Sequence, residues 1–291
     1  MADHAPKLGI AFVPTMPPER LRALAQAAEH SGLDELWVWE DSFKQSSVAS
    51  ATAALAWTER LTVGIGLLPV PLRNVALTAM ELATLERLFP GRLVAGVGHG
   101  VQTWMEQAGA RVASPLTLLR EYATALRALL NGDRVTVSGR YVRLDDVALD
   151  WPPDVPPPLM LGGAGPKSLA LAAELGDGTL LGNLLTESEV AEVAAGITRV
   201  TGRSPQALVA TLIAATGADA ARRLEQEVPR WGRPAGPGLG VAGDAAAVAA
   251  AARRFAAAGA TSLVIQPTAD EPDLLGFVRF LGAEVKPLLL G

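Results

Sequence analysis

The chain contains no cysteine. That gap excludes disulfides, thiolate nucleophiles and cysteine-held zinc or iron–sulfur centres. Basic runs are missing as well: 25 Lys and Arg stand against 30 Asp and Glu, a net charge of −5. A nucleic-acid face needs concentrated positive charge, so that partner class is set aside. No uninterrupted apolar run reaches the ~18 residues of a membrane span. The start, MADHAPKLGIAF, carries an acid and lacks a long apolar stretch, so it does not read as a secretory signal. The expectation is a soluble cytoplasmic protein without membrane or nucleic-acid partners. Aromatics, at 5%, are too few for an aromatic-rich β-sandwich. H-E-x-x-H, paired histidines and G-x-S-x-G are all absent, so zinc and serine hydrolysis have no support and no metal is expected.

What is present is apolar and rhythmic. Hydrophobic residues make up 49%, enough for a large core and against disorder. Apolar runs read as strands at Lys7–Val13, Glu35–Trp39, Leu61–Leu68, Arg92–Val97, Leu159–Leu161, Gly178–Leu181, Leu208–Ala215 and Leu263–Gln266. Helical stretches separate them: Pro17–His30, Ser47–Trp57, Val75–Leu88, Pro115–Leu130, Lys167–Glu174, Thr186–Val200, Asp219–Val228, Asp244–Ala258 and a closing helix, Pro272–Leu289. Val135–Leu149 reads as an added hairpin, Pro152–Pro158 as an extended linker and Pro229–Val241 as a loop. Eight strands alternating with helices, with no break in composition, predict a single-domain (β/α)8 TIM barrel over residues 1–291, with small insertions at the rim. A doubly wound sheet is the rival, since one misplaced strand changes the topology.

In a parallel α/β protein the ligand sits at the carboxyl ends of the strands. Four features fall there. Glu40 and Asp41 follow strand ELWVW and suit an acid, a base or a cofactor contact; capping the next helix is the competing reading. Gly64 and Gly66 weaken a buried strand unless something approaches its backbone, with packing against a neighbouring helix as the plainer reading. Gly96-Val97-Gly98-His99-Gly100 is a poor dinucleotide fingerprint, because VQTWMEQAG is a poor helix start and no acidic ribose partner is evident. His99 is the histidine placed for catalysis, although a lone loop histidine is more often incidental. Gly162-Gly163-Ala164-Gly165-Pro166 precedes a helix, and such small residues let backbone N–H groups cradle a phosphate. An ordinary tight turn would need fewer glycines.

Taken in order, GLDELWVWEDSF, RLTVGIGLLPVPLRN, LERLFPGRLVAGVGHG, PLTLLREYATALRALLNG, LGGAGPKSLALAAELGDG and AGDAAAVAAAARRFAAAGATSLVI resemble the luciferase-like monooxygenase superfamily, within it the branch using coenzyme F420. KLGIAFVP and LGGAGPKSL look most like the methylenetetrahydromethanopterin reductases. The resemblance implies a barrel binding a deazaflavin or flavin at its carboxyl rim. It implies a non-prolyl cis peptide at Gly66–Leu67, and a cofactor phosphate on the amides of Gly162, Gly163 and Ala164. Glu40 and Gly98 are placed among the cofactor contacts. Asp41 stands where the family commonly carries a catalytic histidine, and Ala11 stands where the reductases carry an acid, which argues against their substrate. The implied activity is hydride transfer between F420 and a small organic substrate, by a homodimer. An FMN-dependent monooxygenase is the alternative, and a barrel that binds cofactor without turnover is the third reading.

Overall fold

The computed structural model describes residues 5–163, 165–182, 184–202, 207–234 and 236–290. Among them the strands are β1 (Lys7–Ala11), β2 (Glu35–Val38), β3 (Thr62–Pro69), β4 (Leu93–Gly98), β5 (Val135–Ser138), β6 (Arg143–Val147), β7 (Leu159–Gly162), β8 (Gly178–Leu180), β9 (Leu208–Ala215), β10 (Val241–Ala242) and β11 (Ser262–Pro267). The helices are α1 (Leu21–His30), α2 (Ser47–Ala56), α3 (Val75–Leu88), α4 (Gln102–Gln107), α5 (Pro115–Leu130), α6 (Pro166–Leu175), α7 (Glu187–Thr201), α8 (Ala220–Glu227), α9 (Ala245–Ala257), α10 (Leu274–Phe280) and α11 (Lys286–Leu290).

Strands β1, β2, β3, β4, β7, β8, β9 and β11 pair in parallel in that order. β8 pairs with β9, and β11 with β1, which closes the ring. This is the expected (β/α)8 barrel, not a doubly wound sheet. Side chains alternate across each strand. Leu8, Ile10 and Phe12 face the helices in the main core, whereas Ala11 and Val13 join Trp37, Met160, Leu180, Val209 and Val264 inside the barrel.

Trp37 explains the glycines of β3. A Cβ at Gly64 would collide with its indole, and one at Gly66 would lie 3.0 Å from its Cε3 atom. The close approach is therefore to a ring inside the barrel, not to a neighbouring helix. Between Ile65 and Leu68 the β3–β4 register shifts, and there the Gly66–Leu67 peptide is cis, as the family resemblance implies.

Several boundaries differ from the sequence reading. VQTWMEQAG does form a helix, the short α4, anchored by fully buried Met105. The presumed loop Pro229–Val241 opens within a 3-10 turn, Val228–Trp231, and ends in β10, which pairs with Ala214 and Ala215 of β9. The closing helix is broken by a π turn at Leu281–Val285, just before Pro287. Proline has no N–H to give the preceding turn, which disrupts the regular ladder. The β5–β6 hairpin forms as expected, and the Glu121 carboxylate accepts from the N–H groups of Arg140, Tyr141 and Val142 at 2.9, 2.8 and 3.0 Å, tying its turn to α5. No helix among the described residues is long and apolar enough to cross a membrane.

The amino-terminal end of the barrel has a similar clamp. Glu29 of α1 accepts from the N–H groups of Glu59, Arg60 and Leu61 at 2.8, 2.6 and 3.1 Å. Burial alone would raise its pKa, but these three bonds and the Arg60 charge bring it below the ordinary carboxylate range. A lowered folded pKa gives stability that is present above the unfolded value and lost as pH falls through the folded one. Glu29→Ala should therefore lower the unfolding free energy in urea by about 1–3 kcal/mol at pH 7. The two proteins should converge below the ordinary Glu range, and equal urea midpoints at pH 7 would remove the clamp from the account.

Candidate active site at the carboxyl rim

Above the inward layer that contains Trp37, the barrel opens into a cavity of about 790 Å³. That volume suits a drug-sized or cofactor-sized ligand. Glu40, Asp41, Gly66, Leu67, His99, Gly162 and Gly163 all line it. The strands thus bring together nearly every residue marked from the sequence.

Glu40 and Asp41 do not cap α2; the Ser46 side chain does, accepting from the N–H of Ala49. The two acids also differ from each other. Glu40 accepts from the Ser47 hydroxyl at 2.9 Å and pairs with Arg73 at 3.5 Å. Arg73 reaches Glu81 at 3.3 Å with its other terminal nitrogen, so one guanidinium serves two carboxylates. Burial raises the Glu81 pKa above the usual range, Arg73 opposes that, and Glu40 adds to it. Behind them Tyr122 donates to the Thr78 hydroxyl at 2.7 Å, and its pKa is pushed up to about 12, chiefly by burial. Glu40 is thereby fixed in a charged, packed network. Asp41 has a single ionic partner, Lys44 at 3.1 Å, itself part of the cavity lining.

Across the cavity, β7 ends at Gly162 and Gly163. A Cβ at Gly162 would strike Leu67 Cδ2, and one at Gly163 would strike the Ser168 side chain in the first turn of α6. The N-cap of α6 is Gly165, with Pro166 next, and no side chain caps this helix, whereas α3, α7 and α9 are capped by Asn74, Thr186 and Asp244. The first-turn N–H groups of α6 therefore lack a side-chain acceptor at the edge of the cavity, an arrangement suited to an anion. Ala164 lies outside the described residues.

Gly98 stands apart from the other marked residues. It does not line the cavity; an added Cβ would sit 2.5 Å from Leu67 Cδ2 and 3.2 Å from the Gly162 carbonyl. Its smallness makes room for Leu67. His99 does face the cavity, with Nδ1 3.0 Å from the Gly100 carbonyl. A carbonyl only accepts, so in this bond Nδ1 is the donor.

The sequence reading missed the far wall. Trp39 and Trp231 meet edge to face at 6.4 Å, and both line the cavity. Glu227, 4% exposed, accepts from the Trp231 indole and the Ala269 N–H, both at 3.0 Å. Gln266 at the end of β11 is 1% exposed, and neither atom of its amide has a hydrogen-bond partner among the described residues. Its signal in the sequence was slight: one polar residue ending the apolar run SLVIQP.

Comparison with known proteins agrees with this architecture. The family model described as luciferase-like monooxygenase matches residues 3–271. The chain is 32% identical over 203 residues to the 5,10-methylenetetrahydromethanopterin reductase of Methanolobus tindarius, covering 68% of this chain and 61% of that protein. It is 31% identical over 229 residues to the F420-dependent hydroxymycolic acid dehydrogenase of Mycobacterium tuberculosis, covering 73% and 63%. The matches thus span about three fifths of these relatives' length. A solved F420-dependent secondary alcohol dehydrogenase, in complex with an F420-acetone adduct, shares the fold with a TM-score of 0.86 at 21% identity, covering 98% of this chain and 99% of that one. With a family match running over almost the whole barrel, the chain belongs to the luciferase-like monooxygenases.

Proposed function

We propose that this protein is an F420-dependent oxidoreductase acting on a small organic substrate. The observation that carries the reading is the pairing of an uncapped helix start, edged by Gly162 and Gly163, with a proton-handling group, Asp41, on one apolar-walled cavity. Relatives named as F420-dependent support the deazaflavin over FMN. The residues present fit such a cofactor: a cavity of about 790 Å³, a site for its phosphate at α6, and the apolar Leu67 side chain as a wall. When bound, the deazaflavin would supply the hydride chemistry.

The chain's own residues orient, exclude water and manage protons. First-turn amides of α6 would hold the cofactor's phosphate. Glu40 keeps the β2 loop in place through Ser47 and Arg73. Asp41 Oδ2 bonds Lys44, and Oδ1 takes or gives the proton that accompanies hydride transfer, at the position where the family commonly carries histidine. His99 Nε2 is the second group able to do so.

We also propose that the 291 residues work as one domain, in the cytoplasm, and as a homodimer. Support for the dimer comes from the outer face of α3, where Leu77, Met80 and Leu88 are 45%, 58% and 63% exposed. Covering that stripe removes apolar surface from water. Light scattering should give twice the chain mass for the wild type and a single chain mass for Met80→Glu; a monomeric wild type rejects the dimer.

Fluorescence-quenching titrations decide the cofactor. F420 should bind at least tenfold more tightly than FMN, about 1.4 kcal/mol, and Gly163→Ala, which forces the glycine edge away from Ser168, should weaken F420 binding about tenfold or more. The reverse preference would make the protein an FMN enzyme. Tight F420 binding without turnover of any substrate would leave a binding barrel.

Asp41→Asn keeps the side chain's shape and removes its titrating proton. Turnover of any substrate the wild type accepts should fall about 10²-fold or more, with F420 affinity changed by no more than a few-fold. If Asp41 serves only to hold Lys44, the rate will stay near wild type, and the proton role passes to His99.

A further inference from the structure

Among the described residues, Gln266 is a buried amide with neither side-chain polar atom satisfied. In β11, Ser262 and Val264 point into the barrel, Ser262 to the Glu35 carboxylate at 2.5 Å and Val264 into the inner cluster, while Leu263 and Ile265 face the helices. The alternation puts Gln266 inward as well, one layer higher, on the floor of the cavity. At 1% exposure its Oε1 and Nε2 atoms have no partner among the described residues. Leaving such groups unpaired is costly, so the amide is arranged for something that enters.

Its position indicates what enters. Around the ring, β11 lies four strands from β4 in either direction, directly across the barrel from the β3–β4–β7 arc that carries Leu67 and the glycine edge. The cofactor side and the Gln266 side are therefore opposite walls. The Gln266 side has aromatic faces, Trp39 and Trp231. Charges that line the cavity nearby are already paired: Glu227 with Arg230 at 3.4 Å, and Lys44 with Asp41. Arg20 is exposed to solvent. The wall thus suits a neutral, flat molecule with both a donor and an acceptor on one edge.

We infer that Gln266 is a specificity-determining residue, selecting planar substrates that carry an amide-type edge (a lactam, imide or carboxamide) through paired hydrogen bonds to its side-chain amide. The division into cofactor and substrate walls rests on the proposed F420-dependent reading; the amide's preference does not.

Calorimetry with two flat isosteres tests this on the purified full chain, with and without F420. The probes are 2-quinolone, which presents N–H beside C=O, and coumarin, which has a ring oxygen in place of the N–H. The wild type should bind 2-quinolone at least tenfold more tightly than coumarin, and Gln266→Leu should bring the ratio within twofold. Gln266→Met serves the same purpose if the leucine variant folds poorly. Equal affinities in the wild type, no binding of either probe at millimolar concentration, or a ratio unchanged by the substitutions would overturn the inference. So would a tenfold loss of F420 affinity in Gln266→Leu with the probe ratio intact, because the amide would then serve the cofactor. A persistent quinolone preference in a protein that fails to bind F420 would overturn the cofactor reading and leave this one standing.

Discussion

The structure depends on how one large ring is housed inside the barrel. Trp37 points inward from β2, and its indole N–H donates at 2.7 Å to Glu35, which also accepts from Ser262 across the barrel. A closed ring of eight parallel strands has room for layers of side chains but not for bulky ones on every strand. Two strands, β1 and β3, therefore yield to Trp37. Gly64 has no space for a Cβ beside it, and Cβ atoms at Gly9 and Gly66 would stand 3.2 and 3.0 Å from it. Lys7 completes the lower layer, 3.3 Å from Glu35. Filling the lower barrel with Trp37 and its hydrogen-bonded acid leaves the upper layer to Leu180, Gln266 and the glycine edges, and it is there that the cavity opens.

From this follows a separation of tasks between two adjacent acids. Glu40 and Asp41 leave the same strand, but successive side chains diverge and meet different surroundings. Glu40 is drawn to Arg73, which it shares with Glu81, and the Ser47 hydroxyl donates to it. A carboxylate so bonded is a poor proton carrier, because each protonation would sacrifice charge-assisted bonds. Asp41 has one exchangeable partner on a flexible stem, Lys44. The chemistry of the rim therefore falls to the residue that is less tightly held.

How much of this was readable in the sequence depended on the reach of the contacts involved. The eight barrel strands were legible because buried parallel strands are continuous apolar runs, as in LTVGIGLL and SLVIQ. The hairpin and most helices were legible from local punctuation such as Pro115 and Asn131–Gly132. α4 was hidden because one buried side chain, Met105, anchors it, and one residue makes no period. The grouping of Glu40, Asp41, Leu67, His99 and the Gly162–Gly163 edge followed from strand ends sharing a rim. The meaning of individual glycines did not. Gly64 and Gly98 are small because of Trp37 and Leu67, partners from other strands whose approach no local pattern records. Gln266 was illegible for the same reason, since only the closed ring makes the end of β11 a cavity floor.

The cavity that results has two chemically distinct ends. On the β2 side stands an acid with a mobile cation, Asp41 with Lys44; on the β11 side stands a neutral amide among indoles. A charge-bearing end suits proton movement, and a dry end with fixed dipoles suits orientation, because a hydrogen bond gains strength where water is excluded. Were the amide at the charged end, Lys44 or Asp41 would satisfy it and it would have no preference left to express. β2 and β11 flank β1, so the two groups share one sector of the rim, and it is the pairing of Asp41 with Lys44 that leaves the Gln266 amide its own chemistry.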